Sequence, residues 1–487
     1  MRFVSRREFC ARLAALTAAS VLPGFVKQAG AVQPNIVFVL ADDLGWGDLD
    51  CYNSRSAIPT PNANRLAEQG MHWTDMHASD AICTPSRYSI LTGRYCWRSS
   101  LKKGVTEGYS PALIETGRMT VASMLKAKGY YTAGVGKWHL GLGDASKTDY
   151  TKPLHPGPTD LGFDYYFGIP ASLDMPPYLY FENDRVLEQP TSSTPGSKLR
   201  GAFWREGPMA PHFDFQQVLP TVTKKAVEII HQRASHPSQP FFLYVALPSP
   251  HTPWLPRRED EGRSRAGEYG DYVAEEDDML GELLQAIDKN GFASNTVFIF
   301  TSDNGADWRL DDMARYEHRA NAEWRGQKAD IWEGGHRIPF IARWPGHIRP
   351  GSVASQLGCL SDFMATAAAI TDTTLPPDAA EDSFNLLPVL LGREKGQVRD
   401  SLVGHSWNGM FCVQEGNWKL EEGLGSGGWS SKPEHVDPAP GGPKGQLYDL
   451  AADPREEHNL YQERADIVGR LSKLLEQFQR QGYTRPR

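Results

Sequence analysis

The stretch NIVFVLADD, Asn35 to Asp43, decides how this chain is read. From Ile36 to Ala41 every residue is apolar, with no alternation of polar and apolar positions. That is the pattern of a strand buried on both faces of a parallel sheet. Two aspartates, Asp42 and Asp43, follow at once. The design returns three times: NTVFIFTSDNG (Asn295 to Gly305) ends on Asp303 and Asn304, FFLYVALPSPHTP (Phe241 to Pro253) runs to His251, and YYTAGVGKWHLG (Tyr130 to Gly141) to Lys137 and His139. Helical patterns lie between. In TVASMLKAKG, Val121, Met124 and Leu125 share a face and Gly129 supplies a C-cap; in DYVAEEDDMLGELLQAIDKNG, Val273, Leu280, Leu283, Leu284 and Ile287 form a stripe that Gly291 ends. Strands alternating with helices predict an α/β fold: a large mixed, mostly parallel sheet sandwiched by helices. Ligands of such sheets bind beyond the carboxyl ends of the strands, which is where all four polar clusters fall.

Near residue 375 the pattern changes. A polar, Pro-containing stretch (TTLPPDAAEDSFN) gives way to short strand-like runs (FCVQEGNWKLEE, QLYDL), a Gly/Ser/Pro-rich loop from Gly423 to Gly445 and a final amphipathic helix, RADIVGRLSKLLEQFQRQ. The expected organisation is a large domain over 32–375 and a small C-terminal α+β domain with an antiparallel sheet over 376–487.

The 487 residues carry a net charge of −8, which argues against a broad nucleic-acid-binding surface. An anionic substrate would need positive charge gathered in a pocket. Residues 1–31 read as a twin-arginine signal peptide: Arg6-Arg7, the apolar run LAALTAASVL, and a small-residue cleavage site at Ala29-Gly30-Ala31. No later stretch is long and apolar enough to span a bilayer. A bacterial protein exported by the twin-arginine machinery to the periplasm or beyond is expected. Cys10 leaves with the signal, and Cys51, Cys83, Cys96, Cys359 and Cys412 remain. An odd number in an oxidising compartment points to one thiol with a task other than cross-linking. If that thiol is Cys83, the other four can pair in three ways, among which the sequence does not choose.

Asp42, Asp43, Asp303 and Asn304 are hard oxygen donors. Either pair alone is an ordinary strand-to-loop cap. Two pairs, each directly after a buried strand, suggest a cation, since converging carboxylates repel one another without one. Oxygen ligation suits calcium or magnesium better than zinc. Lys137 and His139 in GKWHLG, and His251 between prolines in PSPHTP, are each unremarkable alone. Lys328 stands in RGQKADIWEGGHRIP, where Glu333, Gly334 and Gly335 suggest a tight turn. Arg87, Lys137 and Lys328 together could hold an anion opposite the metal. Cys83 itself heads CTPSRYSILTGR, with basic residues at Arg87 and Arg94 that a structural cysteine would not require.

That last segment resembles the signature of the type I, formylglycine-dependent sulfatases of the alkaline-phosphatase-like superfamily. The resemblance extends through ADD, GKWHLG, PHTP, TSDNG and the K-x-x-x-x-E-G-G of Lys328 to Gly335, with a flavour of the arylsulfatase A and N-acetylgalactosamine-6-sulfatase branch. It implies a sulfuric ester hydrolase in which a maturation enzyme, reading Pro85 and Arg87, converts Cys83 to formylglycine. One hydroxyl of the aldehyde hydrate would attack sulfur, and loss of a proton from the other would expel sulfate, a release that a serine could not perform. The resemblance further implies one Ca²⁺ on Asp42, Asp43, Asp303, Asn304 and modified Cys83. Arg87 would hold the hydrate, His139 would accept the proton that triggers release, and Lys137 and Lys328 would grip the sulfate. His251, with Lys328 as the alternative, would protonate the leaving oxygen. The expected substrate is a sulfated carbohydrate, a galactose- or N-acetylgalactosamine-type sugar taken at a chain end. Asp174 in SLDMPPYLYFEND and His318, Arg319, Trp324 and Arg325 in RYEHRANAEWRG are the candidate sugar contacts. The rival readings are a formylglycine-dependent phosphonate or phosphodiester hydrolase and, were Cys83 unmodified, a non-catalytic sulfated-glycan-binding protein.

Overall fold

A computed structural model describes residues 33–486; the predicted signal peptide lies outside the described residues. Fourteen strands and eight helices matter for the site. The strands are β1 (Asn35–Asp42), β2 (Met71–Trp73), β3 (Tyr131–Lys137), β4 (Tyr165–Ile169), β5 (Phe181–Glu182), β6 (Arg185–Val186), β7 (Phe241–Pro250), β8 (Thr296–Ser302), β9 (Phe340–Arg343), β10 (Ser352–Ala354), β11 (Ser401–His405), β12 (Phe411–Glu415), β13 (Trp418–Glu421) and β14 (Gln446–Asp449). The helices are α1 (Pro61–Gln69), α2 (Cys83–Thr92), α3 (Val121–Ala127), α4 (Val218–Arg233), α5 (Gly267–Lys289), α6 (Glu333–His336), α7 (Phe363–Ile370) and α8 (Ala465–Gln481).

The first ten strands form one sheet in the order β10-β2-β9-β8-β1-β7-β3-β4-β5-β6. Its five central strands, β8 through β4 in that order, run parallel, and antiparallel pairings appear on both flanks. This is the mixed, mostly parallel sheet that the sequence predicts. Every residue of β1 is buried, as an unbroken apolar run requires of the strand at the centre. The glycines of β3 answer to close packing: a Cβ on Gly136 would sit 1.8 Å from the Ala246 carbonyl oxygen, and Gly136 adopts φ 105°.

The carboxyl ends of β1, β7, β3 and β8 lie side by side, so the residues that follow them meet in one place. The last four strands make a separate antiparallel sheet, β11-β12-β13-β14, with α8 packed against it. Its apolar cluster of Val403, Val413, Leu420, Leu447, Leu471 and Leu475 also takes in Tyr95, Trp97 and Cys359 from the larger part. Among the described residues no helix is long and apolar enough to cross a membrane.

Candidate active site

Strand ends and one helix supply the floor of the site. Asp42 closes β1, and Asp43 adopts φ 69°. A continuing strand would send successive side chains to opposite faces; the left-handed turn lets two consecutive carboxylates serve one site. Cys83 is the first residue of α2, and Arg87 stands one turn on, on the same face. Arg87 donates through Nε (3.0 Å) and Nη2 (2.7 Å) to Asp303 Oδ2 and through Nη1 (3.2 Å) to the Lys137 carbonyl, with Nη2 also 3.4 Å from Asp42 Oδ1. Lys137, at the end of β3, donates to Asp42 Oδ2 at 2.6 Å and to Ser172 Oγ at 3.1 Å. Lys328 Nζ donates to Asp43 Oδ2 at 2.8 Å, and Asn304 Nδ2 to Asp43 Oδ1 at 2.7 Å. The turn around Gly334 locks the Asp303-Asn304 loop in place, since a Cβ on Gly305 would lie 1.9 Å from the Gly334 oxygen. Glu333 is spent on packing: it pairs with His77 (3.1 Å), Arg337 (2.7 Å) and Lys419 (3.1 Å) in a buried network behind the site.

Each histidine is fixed as one tautomer by a carbonyl. Nε2 of His139 lies 2.8 Å from the Thr106 oxygen and must carry hydrogen there; its buried Nδ1 has no partner and is left as an acceptor. Nδ1 of His251 lies 2.6 Å from the Thr252 oxygen, leaving Nε2 near Ser172 Oγ (3.1 Å) and Asp43 Oδ2 (3.7 Å). Burial, with Lys328 and Lys137 close by, pushes His251 down to about 3, and burial with Lys137 and Arg87 holds His139 well below the usual imidazole range. Burial raises Cys83 to about 12 and Asp43 to about 7. Burial pushes Asp42 the same way, but Lys137, Arg87 and Lys328 outweigh it and hold that carboxyl below its ordinary value. Three acidic side chains thus face three basic ones in a buried floor.

Donor atoms of Asp42, Asp43, Cys83 and His251 all lie within 4.8 Å of one another. Among the described residues Asn304 Oδ1 is buried with no hydrogen-bond partner, and Asp42 Oδ1 makes no hydrogen bond either, facing Arg87 Nη2 at 3.4 Å, as atoms open to a cation would be. Asp303 is held differently: its Oδ2 faces Arg87, and its Oδ1 accepts from the Asp43 backbone N–H at 3.2 Å.

Above this floor opens a cleft of about 460 Å³. Cys83, His139, His251 and Lys328 form its base, and Asp174, Arg205, Trp407, Trp429 and Lys432 stand around it. Asp174 and Arg205 form an ion pair. Trp407 and Trp429 lie 5.9 Å apart between ring centroids, and Lys328 Nζ sits 5.7 Å from the Trp429 ring. Two residues beyond Lys328 is the anchor of this rim. Buried Asp330 accepts from the backbone N–H groups of Trp429 and Ser430, and the Ala329 carbonyl accepts from that of Trp407.

Residues 34–373 match the family model for sulfatases. The chain belongs to the sulfatase family. It is 34% identical over 485 residues to an N-acetylgalactosamine-6-O-sulfatase of Bacteroides thetaiotaomicron, covering 91% of this chain and 93% of that one. It is 33% identical over 468 residues to human arylsulfatase A, covering 93% and 88%. A solved structure from work on the metabolism of multiple glycosaminoglycans by Bacteroides thetaiotaomicron superposes with a TM-score of 0.80 at 33% identity, covering 92% of this chain and 99% of that one.

In this sulfatase the residues singled out in the sequence fall into three places. Asp42, Asp43, Cys83, Arg87, Lys137, His139, His251, Asp303, Asn304 and Lys328 come together in the floor. Asp174 joins them on the rim. The remaining four lie elsewhere. His318 is buried, with Nε2 2.8 Å from Asp48 Oδ1 and Nδ1 accepting from the Ala57 N–H, and does not line the cleft. Arg319, Trp324 and Arg325 line a neighbouring cleft. Sequence reading misses Arg205, Trp407, Trp429 and Lys432; the one usable sign was a tryptophan set among small residues in GSGGWSS. Among the described residues Cys51, Cys96, Cys359 and Cys412 are unpaired, so none of the three cross-linking schemes is present there. Cys96, Cys359 and Cys412 are buried among apolar side chains in three different clusters, where a thiol serves as a small hydrophobe.

Proposed function

We propose that this sulfatase releases inorganic sulfate from a galactose- or N-acetylgalactosamine-type sugar sulfate at a chain end, using formylglycine at position 83 and one Ca²⁺. The observation that carries the reading is the position of Cys83. It heads a buried helix, opens into the cleft, and lies with the carboxylates of Asp42 and Asp43 within 4.8 Å. The name of the bacterial relative supports the sugar and its 6-sulfate. A rim of two indoles and an Asp–Arg pair suits a pyranose, which needs an apolar face and hydroxyl partners.

Asp42, Asp43, Asp303 and Asn304 would hold the ion together with residue 83, Asp42 and Asn304 through the oxygens that make no hydrogen bond. The hydrated aldehyde supplies a nucleophilic hydroxyl and a second one that drives sulfate out, and the ion supplies the charge that acidifies the first. The chain's own groups do the rest. Lys328 at the cleft base and Lys137 beneath it offset negative charge growing on the sulfate oxygens. Arg87, clamped on Asp303, positions the side chain one turn ahead of it. His139 accepts a proton at its free Nδ1, the tautomer being set by Thr106. His251 delivers a proton to the leaving sugar oxygen from Nε2. Burial, with Lys328 and Lys137, otherwise keeps the ring neutral; an anionic sulfate ester beside it offsets the two lysines and favours the protonated ring.

Cys83 is 2% exposed, and Pro85 and Arg87 are buried. A maturation enzyme reading those residues would therefore meet them before the chain folds, and export by the twin-arginine route would follow. The test is sulfate release from a panel of regiospecifically sulfated monosaccharides, with mass spectrometry of the peptide carrying residue 83. The expected result is an aldehyde at that residue, turnover of a 6-sulfated galacto-configured sugar, and none by the Cys83→Ser variant. Release from small aryl sulfates alone sinks the sugar assignment; full turnover by Cys83→Ser sinks the nucleophile.

A further inference from the structure

Beside the catalytic cleft lies a second one of about 830 Å³, larger than the first. Its wall carries Arg55, Arg319, Arg325 and Arg455 together with Trp324. In a chain with 59 acidic against 51 basic residues, arginines ordinarily find carboxylates. Arg200, for instance, pairs with Asp307 and Asp312. Among the described residues, these four have one such contact: Arg455 to Glu323 at 3.7 Å, both ends more than half or about half exposed and so weakly coupled. Arg319 meets only the Met313 sulfur at 3.7 Å. Arg325 is held by the Glu456 carbonyl and the Tyr448 hydroxyl and lies 3.7 Å over the Trp332 ring. Arg325 also feels the buried Glu421 carboxyl, so among the described residues Arg55 and Arg319 are the two guanidiniums left without anions, and such groups around a concavity are prepared for an anionic ligand.

The two clefts share a wall. Arg309 lines the catalytic cleft and Leu310 the second; Gln327 and Lys328 line the catalytic cleft, and Arg325 and Gly326 the second. Neighbouring residues stand 3.8 Å apart along the chain, so a single thickness of backbone separates them. We propose that the second cleft binds the continuing chain of an anionic saccharide whose sulfated end occupies the cleft at Cys83. The arginines take its sulfate or carboxylate groups and Trp324 an apolar face of a ring. The carboxylates of Glu317, Glu323 and Glu457 in the same wall accept from hydroxyls and disfavour a uniform polyanion such as nucleic acid. This rests on the reading that the substrate is a sulfated carbohydrate, and it adds that the enzyme grips more than the unit it hydrolyses.

The probes are N-acetylgalactosamine 6-sulfate and a chondroitin 6-sulfate hexasaccharide, and the variant is Arg55→Ala/Arg319→Ala. Both side chains are exposed and neither has a carboxylate partner to strand, so the fold is unaffected. The expected result is a hexasaccharide KM, and a calorimetric Kd, raised about tenfold (about 1.4 kcal/mol). Monosaccharide kcat/KM stays within about twofold, and the hexasaccharide's advantage fades as salt rises. Unchanged hexasaccharide binding in the variant overturns the proposal, as does an equal loss for both sugars. If neither sugar releases sulfate, the carbohydrate reading fails on its own terms. Calorimetry with the hexasaccharide then still decides the cleft: loss in the double variant supports it, equality overturns it.

Discussion

The floor and the rim of the catalytic cleft are built on opposite plans. The floor gathers Asp42, Asp43, Asp303, Arg87, Lys137 and Lys328, all buried and each charge set against another; all but Lys328, which sits in a turn, are attached to a strand end or to α2. The rim is made of loops. Arg205 and Lys432 are 48% and 71% exposed, and the two tryptophans hang from the short Ala329-Asp330 segment. Groups that, on the proposed reading, act on every sulfate ester are placed mostly at strand ends and on α2, where sheet register and helix geometry hold them. Groups that choose among esters sit where insertions and replacements disturb nothing beneath. Damage to the floor should therefore fall on all substrates alike and reach stability, while damage to the rim should be selective.

The hardest blow to the floor is Cys83→Ala. Turnover of sugar and aryl sulfates should fall together by on the order of 10⁴ or more, as when a nucleophile is lost. Measured release that survives on one substrate class and not the other would show that the floor is not common to both. His251→Ala comes next and should divide substrates by leaving group. A sugar alkoxide needs its proton in the transition state and should lose about 10²–10⁴ in kcat; 4-nitrophenyl sulfate, whose phenolate leaves unaided, should lose far less. Equal losses would transfer the acid role to Lys328. Lys137→Ala tests the charge balance itself. It takes from Asp42 its hydrogen-bonded cation and leaves only Arg87 and Lys328 to offset it, and breaking a buried pair from one side destabilises by about 3–5 kcal/mol. Urea unfolding should register this, and the exposed Lys432→Ala should not shift the midpoint.

The same contrast governs what the sequence discloses. NIVFVLADD, TSDNG, GKWHLG and PHTP announce both a buried strand and the polar cluster at its end, because continuous burial leaves an unbroken apolar run and strand ends are where chemistry accumulates. The fold class and the convergence of those clusters were thus legible. The rim was not. Trp407 and Trp429 reach the cleft through long-range bonds to Ala329 and Asp330, about eighty to one hundred residues away in sequence, and no local pattern encodes such a contact. His318 shows the opposite error. A histidine among arginines in a polar segment looked like a sugar contact, yet the ring turns inward to Asp48, whose other oxygen takes the Tyr269 hydroxyl at 2.5 Å. Arg319, Trp324 and Arg325 line a wall, but of the neighbouring cleft, because the chain turns over residues 320–323 before it reaches Lys328.

Trp429→Ala is the mildest and most discriminating change. The ring stands 5.7 Å from Lys328 Nζ and 5.9 Å from Trp407, while its backbone N–H is held by Asp330 whatever the side chain. The loop should therefore keep its place when the indole goes. What is lost is one stacking face, worth about 0.5–1.5 kcal/mol, which predicts a KM for the sugar sulfate raised roughly threefold to tenfold with kcat little changed. A small alkyl sulfate, too short to reach the ring, should show neither effect. Lys328 also loses a neighbouring π-face, so a fall in kcat for the small ester would mean that the indole tunes the ammonium beneath it. Rim and floor would then be one device rather than two, and the separation of recognition from chemistry drawn above would not hold for this enzyme.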